Sequence, residues 1–163
     1  MKQITLITAL VLIQTFSFGQ NLFFIGEKSY PCTETIMLES NASFLGKDLD
    51  VLIAKDNEKG LIVVSTYIVG GGVRIKGKII IYLDDGTVIT CIDRNEFDFV
   101  DNVATTIYYL TNDELNKMKN SNINTIRFTL KCQNCVRSTE EGSFSASNKG
   151  KTNVQSSIIN LFN

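Results

Sequence analysis

Histidine and tryptophan are both missing from the 163 residues, and proline occurs once. Without histidine there is no Ser-His-Asp or Cys-His nucleophile pair, no imidazole metal ligand and no default general base near neutral pH. Without tryptophan the chain lacks a common anchor of binding hot spots. Both absences weigh against an enzyme. An excess of either charge is missing too: 16 Lys and Arg face 17 Asp and Glu, a net of −1. That balance carries no electrostatic footprint for nucleic acid or an anionic membrane. The scarcity of proline and a hydrophobic content of 44% describe a folded chain rather than a disordered one.

No apolar run is long enough to cross a bilayer, which takes about 20 residues. The main run, Ile4–Ile13, follows Lys2 and precedes Ser17-Phe18-Gly19, with small residues at the −3 and −1 positions of a cleavage site. This order of basic, apolar and small residues is that of a signal peptide. We expect residues 1–19 to be removed and residues 20–163 to form a single mostly-β domain, periplasmic or secreted, with no transmembrane segment.

The organising stretch is Lys76–Asp93, KGKIIIYLDDGTVITCID. Asp85-Gly86 predicts a two-residue hairpin turn with positive φ at both central residues. That turn pairs Leu83 with Val88, Ile81 with Thr90, and Ile80 with Cys91. Both faces of the hairpin are then largely apolar, which predicts a central strand pair.

Residues 20–31 show no clear period. Thr35–Glu39 is a strand candidate. Leu49–Lys55 and Leu61–Tyr67 flank a five-residue loop, Asp56–Gly60. Gly70-Gly71-Gly72 lacks the Lys-Ser or Lys-Thr helix start of a phosphate-binding loop and reads as a connection or bulge. Arg94–Asn102 is polar and acidic, with Phe97 and Phe99 as anchors. Ala104–Leu110 is a strand, and Thr111-Asn112-Asp113-Glu114 after it is a capping box, with Leu110 and Leu115 as a hydrophobic staple. Asn124–Cys132 alternates Ile126, Phe128, Leu130 and Cys132 inward. Gly142–Ser147 is a weak strand candidate, and Val154–Phe162 is a helix capped by Thr152 or Asn153.

The segments KGKIIIYLDDGTVI, YYLTNDEL and INTIRFTL, in this order over Lys76–Leu130, resemble a group of small exported bacterial proteins of unknown function. The resemblance implies export and a mostly-β domain. It implies no activity, ligand or site residue.

Two constellations are candidates for chemistry. Cys132-Gln133-Asn134-Cys135 follows a strand, as a thioredoxin-type pair does, but no helical period follows it. It reads either as a disulfide closing a tight turn in an oxidising compartment or as a redox pair. Cys32 and Cys91 complete a set of four, which allows three full pairings. A Cys₄ zinc site usually shows two CxxC knuckles, and this chain has one. The second constellation is acidic: Asp93, Glu96, Asp98 and Asp101, a cation-binding candidate or a glycosidase pair against the reading of a solvated loop.

The fold class expected is mainly β: an antiparallel two-layer sandwich with a short crossing helix and a C-terminal helix. The alternative is an α+β fold with helices on one face of a single sheet. The function expected is that of an exported, non-catalytic binding or structural module, with no cofactor or metal, no nucleic-acid partner, and a protein or glycan of the cell envelope as its possible partner class. A thiol–disulfide protein using Cys132 and Cys135, and a hydrolase using the acidic 93–101 loop, are the rivals. A concave pocket, and the elements lining it, is the observation that separates them.

Overall fold

A computed structural model describes residues 21–41, 48–68, 72–132 and 141–163. The protein is mainly β and antiparallel. In chain order the strands are β1 (Asn21–Ile25), β2 (Lys28–Cys32), β3 (Ile36–Ser40), β4 (Leu49–Asp56), β5 (Lys59–Tyr67), β6 (Val73–Ile75), β7 (Ile79–Leu83), β8 (Val88–Cys91), β9 (Phe97–Val100) and β10 (Val103–Leu110). Helix α1 (Asn112–Asn120) leads to β11 (Ile123–Cys132), β12 (Gly142–Ser147) and helix α2 (Val154–Phe162). The strands form one sheet in the order β8-β7-β11-β12-β3-β4-β5-β10-β9. β1 and β2 form a hairpin attached to β4 through the pair Cys32 and Ala54, and β6 pairs with β11.

The sheet curls until its two halves share one core. Val51, Ile53, Ile62 and Val64 of β4 and β5 belong to the same buried cluster as Ile79 and Ile81 of β7 and Ile126 and Phe128 of β11. The inward alternation of Ile126, Phe128 and Leu130 stands as expected, while Cys132 is half-buried. Leu115 and Met118 of α1 and Val154 and Ile158 of α2 enter that core.

Both helices have the expected caps. Thr111 Oγ1 accepts from Glu114 N, and the Glu114 carboxylate accepts from Thr111 N at 2.7 Å. Asn153 caps α2 by accepting from Ser156 N. Asn122 ties the end of one helix to the start of the other, because its Oδ1 accepts from Val154 N at 2.9 Å.

The β7–β8 hairpin differs from expectation by one residue. Ile79 pairs with Cys91, Ile80 with Thr90, Ile81 with Ile89 and Tyr82 with Val88. The cause is the turn. Leu83 N donates to Thr87 O and Gly86 N donates to Leu83 O, so three residues, Asp84-Asp85-Gly86, form the loop. Gly86 at φ 87° is the left-handed residue that a three-residue loop places after a type I turn. The slip turns Ile89 and Cys91 inward and leaves Val88 and Ile92 exposed, so the pair sits at the edge of the sheet and not at its centre. The turn with two left-handed residues belongs instead to β9–β10. There Val100 pairs with Val103 across Asp101 (φ 52°) and Asn102 (φ 64°). The β4–β5 loop is also shorter than expected: Asp56 pairs with Lys59 across Asn57-Glu58.

β6 and β7 pair with the same side of β11 in registers two residues apart, with a bulge at Lys76-Gly77-Lys78 between them. Gly77 takes φ 86° there, a conformation that L side chains rarely adopt. The bulge is held on three sides. Lys76 N donates to Thr129 O, Asp93 Oδ2 accepts from Gly77 N at 2.8 Å, and the Tyr108 hydroxyl donates to Gly77 O at 2.9 Å. Thr106 Oγ1 donates to Ile75 O at 2.8 Å. Thr106 and Tyr108 are thus alternate residues of β10 that satisfy alternate carbonyls of the β6 segment. Side chains make the seam where β10 meets β6.

Candidate functional site

A second apolar cluster lies on the other face of β4, β5 and β10. Ala54, Leu61, Val63 and Ile107 form it with Cys32, and Phe23, Ile25, Tyr30, Leu52 and Tyr109 pack against it. The β1–β2 hairpin covers this face because Phe23, Ile25 and Tyr30 point toward it. The stretch that shows no period by inspection therefore holds, from Asn21 to Cys32, an ordered hairpin around Gly26-Glu27.

The hairpin does not reach β9, and a cleft of about 420 Å³ remains. Thr105 and Ile107 line it together with Phe23, Phe24, Ile25 and Gly26 of the hairpin and Asn95, Glu96, Phe97 and Asp98 of the β9 segment. Five of these side chains are large and apolar, which suits a ligand site whose few polar groups set orientation. A second concavity of about 450 Å³ is lined by Lys28, Ser29, Tyr30, Pro31, Lys55, Asp56 and Asn57, five of them polar or charged residues. The apolar cleft is the better candidate for ligand binding.

The acidic candidates are dispersed, each with its own local partner or turn. Asp93 uses both oxygens on backbone: Oδ2 accepts from Gly77 N and Oδ1 from Asn95 N at 2.7 Å. Glu96 Oε2 accepts from the Tyr109 hydroxyl at 2.6 Å. That bond, with burial as a smaller cause, pushes Tyr109 up to about 12. The Arg94 guanidinium lies 4.8 Å from the Tyr109 ring centroid. Asp98 accepts from Phe99 N, and Asp101 occupies the β9–β10 turn. Among the described residues no group of three or more His, Cys, Asp or Glu is placed to hold a metal ion.

Cys32 and Cys91, whose pairing the sequence left open, are buried free thiols. Burial raises both, and Cys91 reaches about 12 with a further push from Glu114. Cys91 packs as a small apolar residue, opposite Ile79 rather than beside Ile80. Cys132 ends β11, where its backbone N–H donates to Glu141 Oε1 at 2.6 Å. Cys135 lies outside the described residues, as do residues 1–19 and Gly70-Gly71.

Arg74 is the residue that sequence reading missed. It is 5% exposed, and its Nε and Nη1 have no hydrogen-bond partner among the described residues. Its Nη2 donates to Asn95 Oδ1 at 2.9 Å, and its guanidinium stacks 3.8 Å from the centroid of Phe97. Both partners line the cleft. The only available signal was an arginine within a short apolar run, Val73-Arg74-Ile75.

Comparison with protein-family models, with curated proteins and with solved structures finds no match to this chain. What the fold and the site define is a class: a mainly β protein with a curled antiparallel sheet, two helices in its core, and one apolar cleft between a hairpin and an edge strand. No helix among the described residues is long and apolar enough to cross a membrane.

Proposed function

We propose that the protein is an exported, non-catalytic binding module whose ligand lies in the cleft between β1 and β9. The observation that carries this reading is the cleft itself. Phe23, Ile25, Phe97 and Ile107 offer an apolar lining, and Asn95 and Glu96 supply the few polar groups that orient a guest. The signal-peptide pattern and the resemblance to exported proteins support export. The sharing of one core by the two halves of the sheet supports a sandwich-like reading of the fold. The hydrolase reading fares worse, because Asp93 and Glu96 are engaged in bonds that hold the fold. The redox reading keeps Cys132 as its one described residue.

Decanol is a suitable uncharged probe. Titrated into ¹⁵N-labelled protein, it should move the amide resonances of residues 23–26, 95–98, 105 and 107 in a saturable way. Phe23→Ser should weaken that response about tenfold, the order expected for losing one buried aromatic contact. Shifts scattered over the surface, or none at all, would reject the cleft as the site.

A further inference from the structure

We infer that Arg74 is the anion anchor of this cleft, and that the ligand carries a carboxylate on an apolar body. The inference rests on the cleft being the binding site and adds the ligand's chemistry. A buried guanidinium is ordinarily paired with a carboxylate, since an uncompensated buried charge is costly. Arg74 has a neutral amide, an aromatic face and two bare nitrogens instead. Among the described residues no carboxylate forms an ion pair with Arg74, and both oxygens of Asp93 accept from backbone N–H groups.

The groups that separate Arg74 from the cleft are thin. Phe97 is 38% exposed and lies on a strand with every residue exposed to solvent, and Asn95 holds the guanidinium by one bond. When Phe97 turns outward, an oxyanion entering beside it meets Nε and Nη1 and gains charge-assisted hydrogen bonds. The apolar body then rests on Ile107, Phe23 and Ile25. Of the other charged groups of this region, Glu96 accepts from the Tyr109 hydroxyl, Arg94 lies over the Tyr109 ring and Asp98 accepts from its own strand, so none of the three bonds Arg74. The geometry calls for one negative headgroup on a hydrocarbon or aromatic body, from a fatty acid or from the C terminus of a peptide.

The test compares decanoate with decanol on the intact protein, by calorimetry and by the Arg74 Nε–H resonance. Decanoate should bind at least tenfold more tightly. It should shift the Nε–H resonance and slow its exchange with water, and decanol should do neither. Arg74→Met should abolish the preference for decanoate over decanol. If that variant does not fold, the Nε–H titration of the native protein decides alone. Equal binding of the two probes with an unmoved Nε–H resonance overturns the anchor and leaves the cleft standing. Failure of both probes to perturb the cleft amides removes the cleft and the anchor together. N-acetyl-Leu-Phe as free acid against its amide distinguishes the source: a larger acid preference there than for decanoate assigns the headgroup to a peptide terminus, and a smaller one to a lipid acid.

Discussion

Removing the Tyr108 hydroxyl should loosen the sheet at its seam. The ring of Tyr108 is fully buried in the core, so Tyr108→Phe keeps the packing and deletes one donor. Gly77 O then loses its 2.9 Å bond at a bulge already committed to a left-handed conformation. Gly77 is half-buried, and leaving its acceptor unsatisfied costs up to the figure for a buried group, about 1–3 kcal/mol. Thr106→Val makes the same deletion at Ile75 O, with shape nearly conserved and a cost of the same order, about 1–3 kcal/mol. With a urea slope of about 2 kcal/mol/M, either substitution should lower the unfolding midpoint by about 0.5–1.5 M. Because the two bonds hold one segment, the double variant should cost less than the two single losses together, with a coupling of at least about 0.5 kcal/mol. Tyr82→Phe is the control, since the Tyr82 hydroxyl accepts from Arg127 at 3.5 Å on the surface; its effect should stay within about 0.5 kcal/mol. Midpoints for Tyr108→Phe and Thr106→Val no lower than that of Tyr82→Phe would refute the claim that side chains make this seam.

Other outcomes follow from features described above. Thr111→Ala removes the N-cap acceptor of α1 and should cost about 1 kcal/mol by urea denaturation; an unchanged midpoint would deny Thr111 that role. Because Cys91 is raised to about 12 in the fold, the native state holds its proton where the unfolded chain has lost it. Its contribution to stability is therefore complete below about pH 8.5, the ordinary thiol value, and is lost as pH rises toward 12. Cys91→Ala should flatten the decline of unfolding midpoint with pH in that window, and an identical slope would contradict it. Cys32 and Cys91 are free and buried, which leaves Cys135 as the partner open to Cys132. A non-reduced peptide map of protein from its native host should show that bond and an N terminus at Gln20, whereas zinc at one equivalent or free thiols at both positions would defeat the disulfide.

Local chemistry was legible wherever a signal was self-contained. The capping box at Thr111 and Glu114, the alternation along β11 and the cap at Asn153 each depend on neighbours within a few residues. The β7–β8 register was not legible because Asp-Gly serves both a two-residue and a three-residue loop. The choice lies in which carbonyl Gly86 N meets, and a slip of one residue exchanges every face of β8. β9 was hidden because all four of its residues are exposed, so no buried face sets a period. The β1–β2 hairpin was hidden because its apolar residues answer a face of β4, β5 and β10 assembled from distant parts of the chain. The candidate site was the least legible. Phe97 was recognised only as an anchor, and Arg74 gains its meaning from what it lacks in three dimensions. The acidic residues that looked like a site are close in sequence, but the β9 segment turns Asp93, Glu96 and Asp98 to different partners.

The seam between β10 and β6 has an evolutionary consequence. Backbone ladders are nearly indifferent to which side chains they carry, so the curvature of most sheets survives sequence drift. Here two hydroxyl groups stand in for rungs of the ladder. A single-base change from tyrosine to phenylalanine erases one of them without disturbing a strand, a turn or the apolar pattern. How tightly this sheet is rolled is therefore a trait that point mutation can tune while the rest of the architecture stays as it is. The setting would also reach the cleft, since β10 carries Thr106 and Tyr108 toward the seam and Thr105 and Ile107 toward the cleft.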